Sequence, residues 1–475
     1  MNKSTRIGLI ALSIALAYPG SAWLIGMRVE QRFAEQYQKL EAQGTLKVVS
    51  RDYQRGLFSA TETVVLELTP AVQAAMSGFK GLLPTAPVDT APMRVSFRSK
   101  IQHGPLAGGT HLGAARVQSE LVLEGDAAKA VARVFGQVAP LTVDTRYGFL
   151  GGGRSEASSP AVKTSFQNAA GERIDLDWQG LKLASDFSAG LEQYTLEAEM
   201  PGAQVNDASG VQLALAGLKI TGEFERILGE DSELYAGWTE FTLASAEFQS
   251  AAALDKSFSL KKLVYRVDSP LEGDYIDIKA RMGAESLSFG DSQYGPAHYD
   301  FSLRHLQAKA MQGMQQEIRK MYADPAAMGA AQSNPAAMFE SVRAPLTELL
   351  KQQPVFSLDR LQFRNTYGET SAKAEIKLVD AQEADFANPM ALIGKLSLEA
   401  DISLPEKFAL ALGGMRSGEL TPEQLAQRDA MIAQQLEGML QQGYLERGGE
   451  SLKTRIVFAK GALTLNGKPM GPGAQ

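Results

Sequence analysis

The side chains that most often carry chemistry are sparse in this chain. Among its 475 residues are four histidines and no cysteine. The histidines are His103, His111, His298 and His305, and no His-Glu-x-x-His or comparable ligand spacing joins them. His103 stands beside a Gly-Pro pair and His298 on a predicted strand, so turn or surface roles are expected for both. The absence of cysteine removes disulfides, thiolate metal sites, thiol nucleophiles and lipid attachment through sulfur. No Gly-x-Ser-x-Gly elbow presents a serine nucleophile. Gly108-Gly109 and Gly151-Gly152-Gly153 are followed by no Gly-Lys-Ser/Thr, so they read as turns rather than phosphate loops. Carboxylates are numerous but scattered, and no acid/base pair stands out. These patterns indicate no catalytic residue, no metal ligand and no cofactor, and the expectation is a protein that is not an enzyme. A methionine-rich stretch, Met311, Met314, Met321, Met328 and Met338, reads as adaptable core packing or as a soft lining for an apolar ligand.

The elements say more. Ile7–Gly26 (IGLIALSIALAYPGSAWLIG) is an apolar run behind Lys3 and Arg6. A helix of about 20 residues, at roughly 1.5 Å each, just covers a hydrocarbon core of about 30 Å. Ile7, Leu9, Ile10, Leu12, Ile14, Leu16, Leu24 and Ile25 supply the apolar surface, and Trp23 suits a membrane interface. Gly20-Ser21-Ala22 offers a weak signal-peptide cleavage site, and a buried core helix is a third reading. The apolar character that continues through Trp23-Leu24-Ile25 favours a retained anchor. Charges flanking the run nearly balance, so orientation rests on the length of the chain behind it: residues 1–6 inside, the body outside.

Residues 27–44 continue as a stalk helix, with Val29, Phe33, Tyr37 and Leu40 on one face. It is expected to pack on its own domain. From about Leu46 the hydrophobic period becomes two. Residues 45–303 hold a series of short strands, among them Thr61–Leu68, Val95–Ile101, Ile174–Trp178, Lys262–Val267 and His298–Leu303. Many alternate apolar with charged residues, which predicts antiparallel sheet with one wet and one dry face. Residues 304–353 are helical: His305–Tyr322, then a helix opened by Asn334-Pro335 and broken or restarted at Pro345. Residues 354–475 return to strands, with a helix over 421–443 capped by Thr421 and a closing hairpin at Asn466-Gly467. The fold class is α+β and β-rich: a membrane helix, long antiparallel sheet and a few packed amphipathic helices. The dry sheet face must be covered by helices, by another sheet or by a ligand. Ser96-Phe97 and Gln102-His103-Gly104-Pro105 are echoed about 191 residues later by Ser288-Phe289 and Gln293-Tyr294-Gly295-Pro296. Either two ordinary turns or a duplicated unit would produce that echo. Net charge is −7 and the basic residues are not clustered, so no nucleic-acid partner is expected.

Several segments in order resemble the YdgA-like family of bacterial envelope proteins. They are Tyr18-Pro19-Gly20-Ser21-Ala22-Trp23-Leu24-Ile25-Gly26, Tyr53-Gln54-Arg55-Gly56-Leu57-Phe58-Ser59, His103-Gly104-Pro105-Leu106 and Tyr294-Gly295-Pro296. Leu349-Leu350-Lys351-Gln352-Gln353-Pro354 and Leu465-Asn466-Gly467-Lys468-Pro469 complete the set. The resemblance implies an inner-membrane-anchored periplasmic protein of Gram-negative bacteria and supplies no catalytic residues. Arg55-Gly56, His103-Gly104-Pro105, Gly295-Pro296 and Asn466-Gly467 are expected to mark structural turns. Two functions remain in view. One is binding or conveying an apolar ligand, a lipid or acyl chain, along the one-sided sheet. The other is a structural or interaction protein of the envelope with a closed core. The partners to expect are the inner membrane, a lipid or envelope protein, and a second copy of the chain.

Overall fold

The computed structural model describes residues 3–42, 46–68, 94–109, 111–123, 125–167, 171–230, 232–251, 257–323, 335–414 and 422–470. Two compact units emerge: Met1–Glu233 with Gln315–Phe339, and Leu234–Met314 with Glu340–Gln475.

The first unit opens with helix α1, Lys3–Ala42, which runs unbroken through Pro19. The segments expected as anchor and stalk are thus one helix. Its strands are β1 (Leu46–Arg55), β2 (Ser59–Leu68), β3 (Arg94–His103), a small hairpin β4–β5 (Leu106–Ala107, His111–Leu112), β6 (Ala115–Val122) and β7 (Thr142–Tyr147). They continue as β8 (Gly153–Ser159), β9 (Val162–Gln167), β10 (Arg173–Trp178), β11 (Leu181–Phe187), β12 (Gln193–Asp207) and β13 (Val211–Arg226). Pairing is an antiparallel meander: β1–β2–β3–β6–β7–β8, then β11 on β8, β10 on β9, both on β12, and β13 on β12. A single cross-strand row, His103–Ala115–Tyr147–Gly153–Phe187–Tyr194–Phe224, emerges from the registers and marks one end of the sheet. α1 lies across the dry face, where Val29 and Phe33 pack on Ala60, Ile101 and Val117.

The second unit holds β14 (Tyr235–Ser250), β15 (Phe258–Ser269), β16 (Leu271–Glu272), β17 (Tyr275–Ala284), β18 (Ser286–Phe289), β19 (Ser292–Tyr294) and β20 (Ala297–Gln307). After its helices come β21 (Val355–Asn365), β22 (Gly368–Leu378), β23 (Leu396–Pro405), β24 (Glu446–Gly448), β25 (Ser451–Ala459), β26 (Ala462–Leu465) and β27 (Lys468–Met470). The ladder again follows chain order, β14–β15–β17–β20–β21–β22–β23–β25–β26–β27, all antiparallel. Leu306, Ala310 and Leu349 form a core with Ile278, Leu303, Met311 and Met314, so those two methionines serve packing.

The α+β, antiparallel, β-rich expectation holds, with several local corrections. Val211–Leu215 and Lys219–Glu223 are one strand: Gly217 takes φ 63° opposite Pro201, and the ladder skips that pair without ending or changing register. His305, Leu306 and Gln307 belong to β20, with Leu306 paired to Ile276 and Gln307 to Tyr275, and the helix begins only at Ala308. Pro345 neither breaks nor restarts its helix, which runs Pro335–Lys351. The helix expected over 421–443 spans Pro422–Gln442, and its cap Thr421 lies outside the described residues. A helix at Gly125–Phe135 and strands β7, β8, β9 and β11 are not among the elements expected from the sequence.

Candidate functional site

Three of the family-like segments, far apart in the chain, meet at one end of the first unit. Tyr18 stacks on Phe58 with ring centroids 5.6 Å apart, and its hydroxyl donates to the Leu106 carbonyl at 3.4 Å. One turn further on, Ala22 is wholly buried against Gly104. Gly104 has φ +119°, and a Cβ there would sit 2.9 Å from that of Ala22. Another turn on, Gly26 lies against the imidazole of His103, where a Cβ would come within 2.5–2.9 Å of three ring atoms. His103 is buried, and its Nδ1 lies 2.9 Å from the Ala22 carbonyl. A carbonyl only accepts, so Nδ1 carries a hydrogen and donates it to Ala22 O. Nε2 is buried without a hydrogen-bond partner. The surface role expected for His103 is therefore wrong: the ring is a spacer between helix and sheet. Small residues at 22, 26 and 104 let backbone and ring approach closely.

Arg55 joins the same joint, with its guanidinium 5.4 Å from the Trp23 ring centroid and 3.0 Å from the Glu30 carboxylate. Gly56 turns β1 into β2, its N–H donating to Ser59 O at 2.7 Å. Further along α1 a buried acid appears that sequence reading missed. Glu62 shares the inward parity of Ala60 and Val64 on β2. A buried carboxylate must be paired, and Glu62 takes Arg51 at 2.6 Å and the Tyr37 hydroxyl at 3.1 Å. Burial, then the Glu62 charge, pushes the Tyr37 phenol far above its usual range. Burial, with Glu30 and Glu62 nearby, pushes Tyr53 up to about 12. The only advance signal for Glu62 was its period-two position.

The remaining turn residues lie elsewhere. Gly295 has φ +144°, its N–H donates to Arg364 O at 2.8 Å, and it precedes a cis Pro296. A Cβ at Gly295 would meet Glu285 O, whereas Gly104 faces a helix. Ser96 to His103 is one strand, while Ser288 and Tyr294 lie on separate ones. The echo thus repeats a turn, not its surroundings. Asn466 and Gly467, at φ 48° and 76°, link β26 to β27 as a two-residue hairpin requires. Trp23 and Leu24 are exposed and Ile25 is half-buried on α1. Ile7, Leu9, Ile10, Leu12, Ile14 and Leu16 lie on the helical backbone of α1, with side chains outside those described. Among the described residues no helix is long and apolar enough to cross a membrane.

Two sheet surfaces could receive a ligand. On the first unit a trough of about 920 Å³ crosses β3 to β13. Five basic and five acidic side chains line it, Arg98, Lys100, Arg154, Lys182 and Lys219 against Glu120, Asp144, Glu156, Glu197 and Glu199. It offers no net charge with which to select an ion. Hydrogen bonds from Arg116 hold the Asp144 carboxyl below its usual range, the mark of a structural ion pair.

The second unit differs. Three cross-strand rows on one face are almost wholly apolar. One runs Met282–Tyr299–Leu361–Ala372–Ile402, the next Ala280–Phe301–Leu358–Ala374–Ala400–Ile456, the third Leu303–Phe356–Ile376–Leu398–Phe458. Met282 and Tyr299 are directly opposed and 38% and 42% exposed; Phe356 and Ile376 are directly opposed and 37% and 38% exposed. Ala280 and Ala400 are buried between them. Helix residues close the end at Ile278 and Leu303, and Phe408 closes the other against Phe363 at 5.8 Å. The exposed pairs lie in the two outer rows and flank the buried row between them.

His305 stacks on Tyr275 at 3.9 Å with Nδ1 2.7 Å from Gln352 O, and His298 lies over Gly283. His111 lies on β5. Among the described residues no group of three or more His, Asp or Glu could hold a metal ion.

A family model described as a bacterial protein of unknown function (DUF945) matches residues 1–472. The chain is similar to Protein YdgA of Escherichia coli (strain K12), 20% identical over 503 aligned residues that cover 99% of this chain and 95% of that protein. No solved structure matches it.

Proposed function

We propose that this chain, which belongs to the DUF945 family of bacterial proteins, is a non-enzymatic, inner-membrane-anchored protein of the periplasm that binds an apolar ligand, a lipid or acyl chain, on an exposed apolar sheet face. The observation that carries the reading is the exposed pairs Met282–Tyr299 and Phe356–Ile376 in two rows of one apolar face. Isolated exposed hydrophobics are ordinary, but neighbouring ones on a contiguous apolar surface usually meet a partner. Its rows, about 7 Å apart along the strands, suit an extended hydrocarbon better than a compact polar molecule. The apolar run Ile7–Gly26 supports anchoring, and the long exported body sets its side. Asp144 and Arg154, which line the polar trough, are paired to Arg116 and Asp186, and this supports a structural role for that surface.

Native mass spectrometry of the full chain, released from its membrane in mild detergent, tests the reading. Lipid is expected to co-purify and to be lost from a Tyr299→Asp/Phe356→Asp variant. Protein recovered lipid-free, or lipid retained equally by the variant, overturns it. The competing reading, a closed-core envelope scaffold, draws on the first unit, where α1 covers the dry face of β1, β2, β3, β6 and β7.

A further inference from the structure

We infer that the end of the first unit from which α1 emerges is a second membrane-contact surface, a rim of apolar turns that rests in the lipid headgroup and upper acyl region. This rim rests on the anchoring part of the proposed function and is independent of the apolar face in the second unit.

The register row from His103 to Phe224 fixes which turns share this end. Each carries exposed apolar side chains. The β1–β2 turn presents Leu57 and Phe58, and the β4–β5 hairpin presents Leu106 and Leu112, the last 70% exposed. The β7–β8 turn presents Phe149 and Leu150, the latter 92% exposed. Leu191 and Leu228 come in the turns after β11 and β13, both at positive φ. Trp23 and Leu24 of α1 are exposed at the same place. Among the described residues of this unit, the other exposed large hydrophobics are Val49 and Val138 alone. A turn in water is usually built of polar residues, Gly and Pro; five turns at one end that all present Leu or Phe are a surface.

The length of the anchor points the same way. Ile7–Gly26 is long enough to span the hydrocarbon only if all of it lies there. Tyr18, Ala22 and Gly26 are instead packed against Phe58, Gly104 and His103. Beyond them Ile7–Ala17 leaves 11 residues, about 16 Å of helix, roughly half of the thickness required. A span that short is accommodated by thinning the bilayer or by drawing the flanking structure into it. The structure that flanks it is the apolar rim. Trp23 beneath the Arg55 guanidinium places an amphipathic ring at that level.

The cysteine-free chain makes the test direct. Leu112→Cys, Leu150→Cys and Leu228→Cys, each carrying an environment-sensitive fluorophore, are compared with Ser209→Cys at the far end of β12, about 45 Å away along the strand. The full-length proteins are reconstituted into phosphatidylethanolamine–phosphatidylglycerol vesicles containing spin-labelled lipid and checked by flotation. The expected result is blue-shifted emission and several-fold stronger lipid quenching at all three rim sites than at Ser209. Rim labels quenched no more than Ser209, in protein that floats with the vesicles, overturn the rim and leave the anchor intact. Protein that does not float overturns both.

Discussion

At the scale of single residues, the joint between α1 and its sheet depends on absent atoms. Gly26 is mid-helix, where Gly→Ala normally gains about 0.5–1 kcal/mol. Here the new methyl would enter the His103 ring, so Gly26→Ala is expected to destabilise by roughly 1–3 kcal/mol, read from denaturant midpoints. A His103→Ser partner substitution should recover part of that loss in a double-mutant cycle; strict additivity would deny the contact. Tyr53 gives a second prediction. Its hydroxyl is buried without a partner, so Tyr53→Phe should be neutral or stabilising at neutral pH. The folded chain holds the Tyr53 and Tyr37 protons more tightly than the unfolded chain, whose phenols titrate near 10. Their contribution is therefore complete below about pH 10 and is lost as pH rises through the folded values, for Tyr53 about 12. Denaturation at stepped pH should show that alkaline loss, reduced in Tyr53→Phe; an unchanged profile would remove Tyr53 from the joint. None of this was legible in the sequence, because nothing local links Gly26 to His103 or Tyr37 to Glu62. Only the fold supplies those pairs.

At the scale of elements, α1 is held by Phe33, which packs beside Ile101 and lies 6.1 Å from the Tyr147 ring. Phe33→Ala should cost roughly 2–4 kcal/mol and should raise hydrogen exchange over residues 18–42 more than in β2 and β3. Equal deprotection throughout would mean that helix and sheet open as one. Strand legibility tracked composition. β2, β3, β20 and β22 alternate apolar and polar residues, and their positions were readable to within a few residues. β7 (TVDTRY) and β8 (GRSEASS) were not; β8 has a charged outward face and only Gly, Ser and Ala inward. Thr145 and Ser155 are held across the ladder by a 2.9 Å hydroxyl pair in place of packed aliphatics. The Asn466-Gly467 turn was readable from two residues, since positive φ at both positions excludes most alternatives.

At the scale of the molecule, an antiparallel sheet with one wet and one dry face was legible from periodicity. Whether that face is covered was not, because cover comes from helices distant in sequence. The first unit covers part of its face with α1; the second leaves Met282, Tyr299, Phe356 and Ile376 exposed. If this open face holds hydrocarbon, a photocrosslinking amino acid placed on it will capture lipid. The most direct measurement puts that amino acid at Tyr299 or Ile376 of the full-length protein in its own membrane, with Thr221 in the polar trough as the control. Lipid adducts are predicted at 299 and 376 and none at 221. Adducts to protein alone, or to lipid at all three positions equally, would contradict a hydrocarbon-binding face.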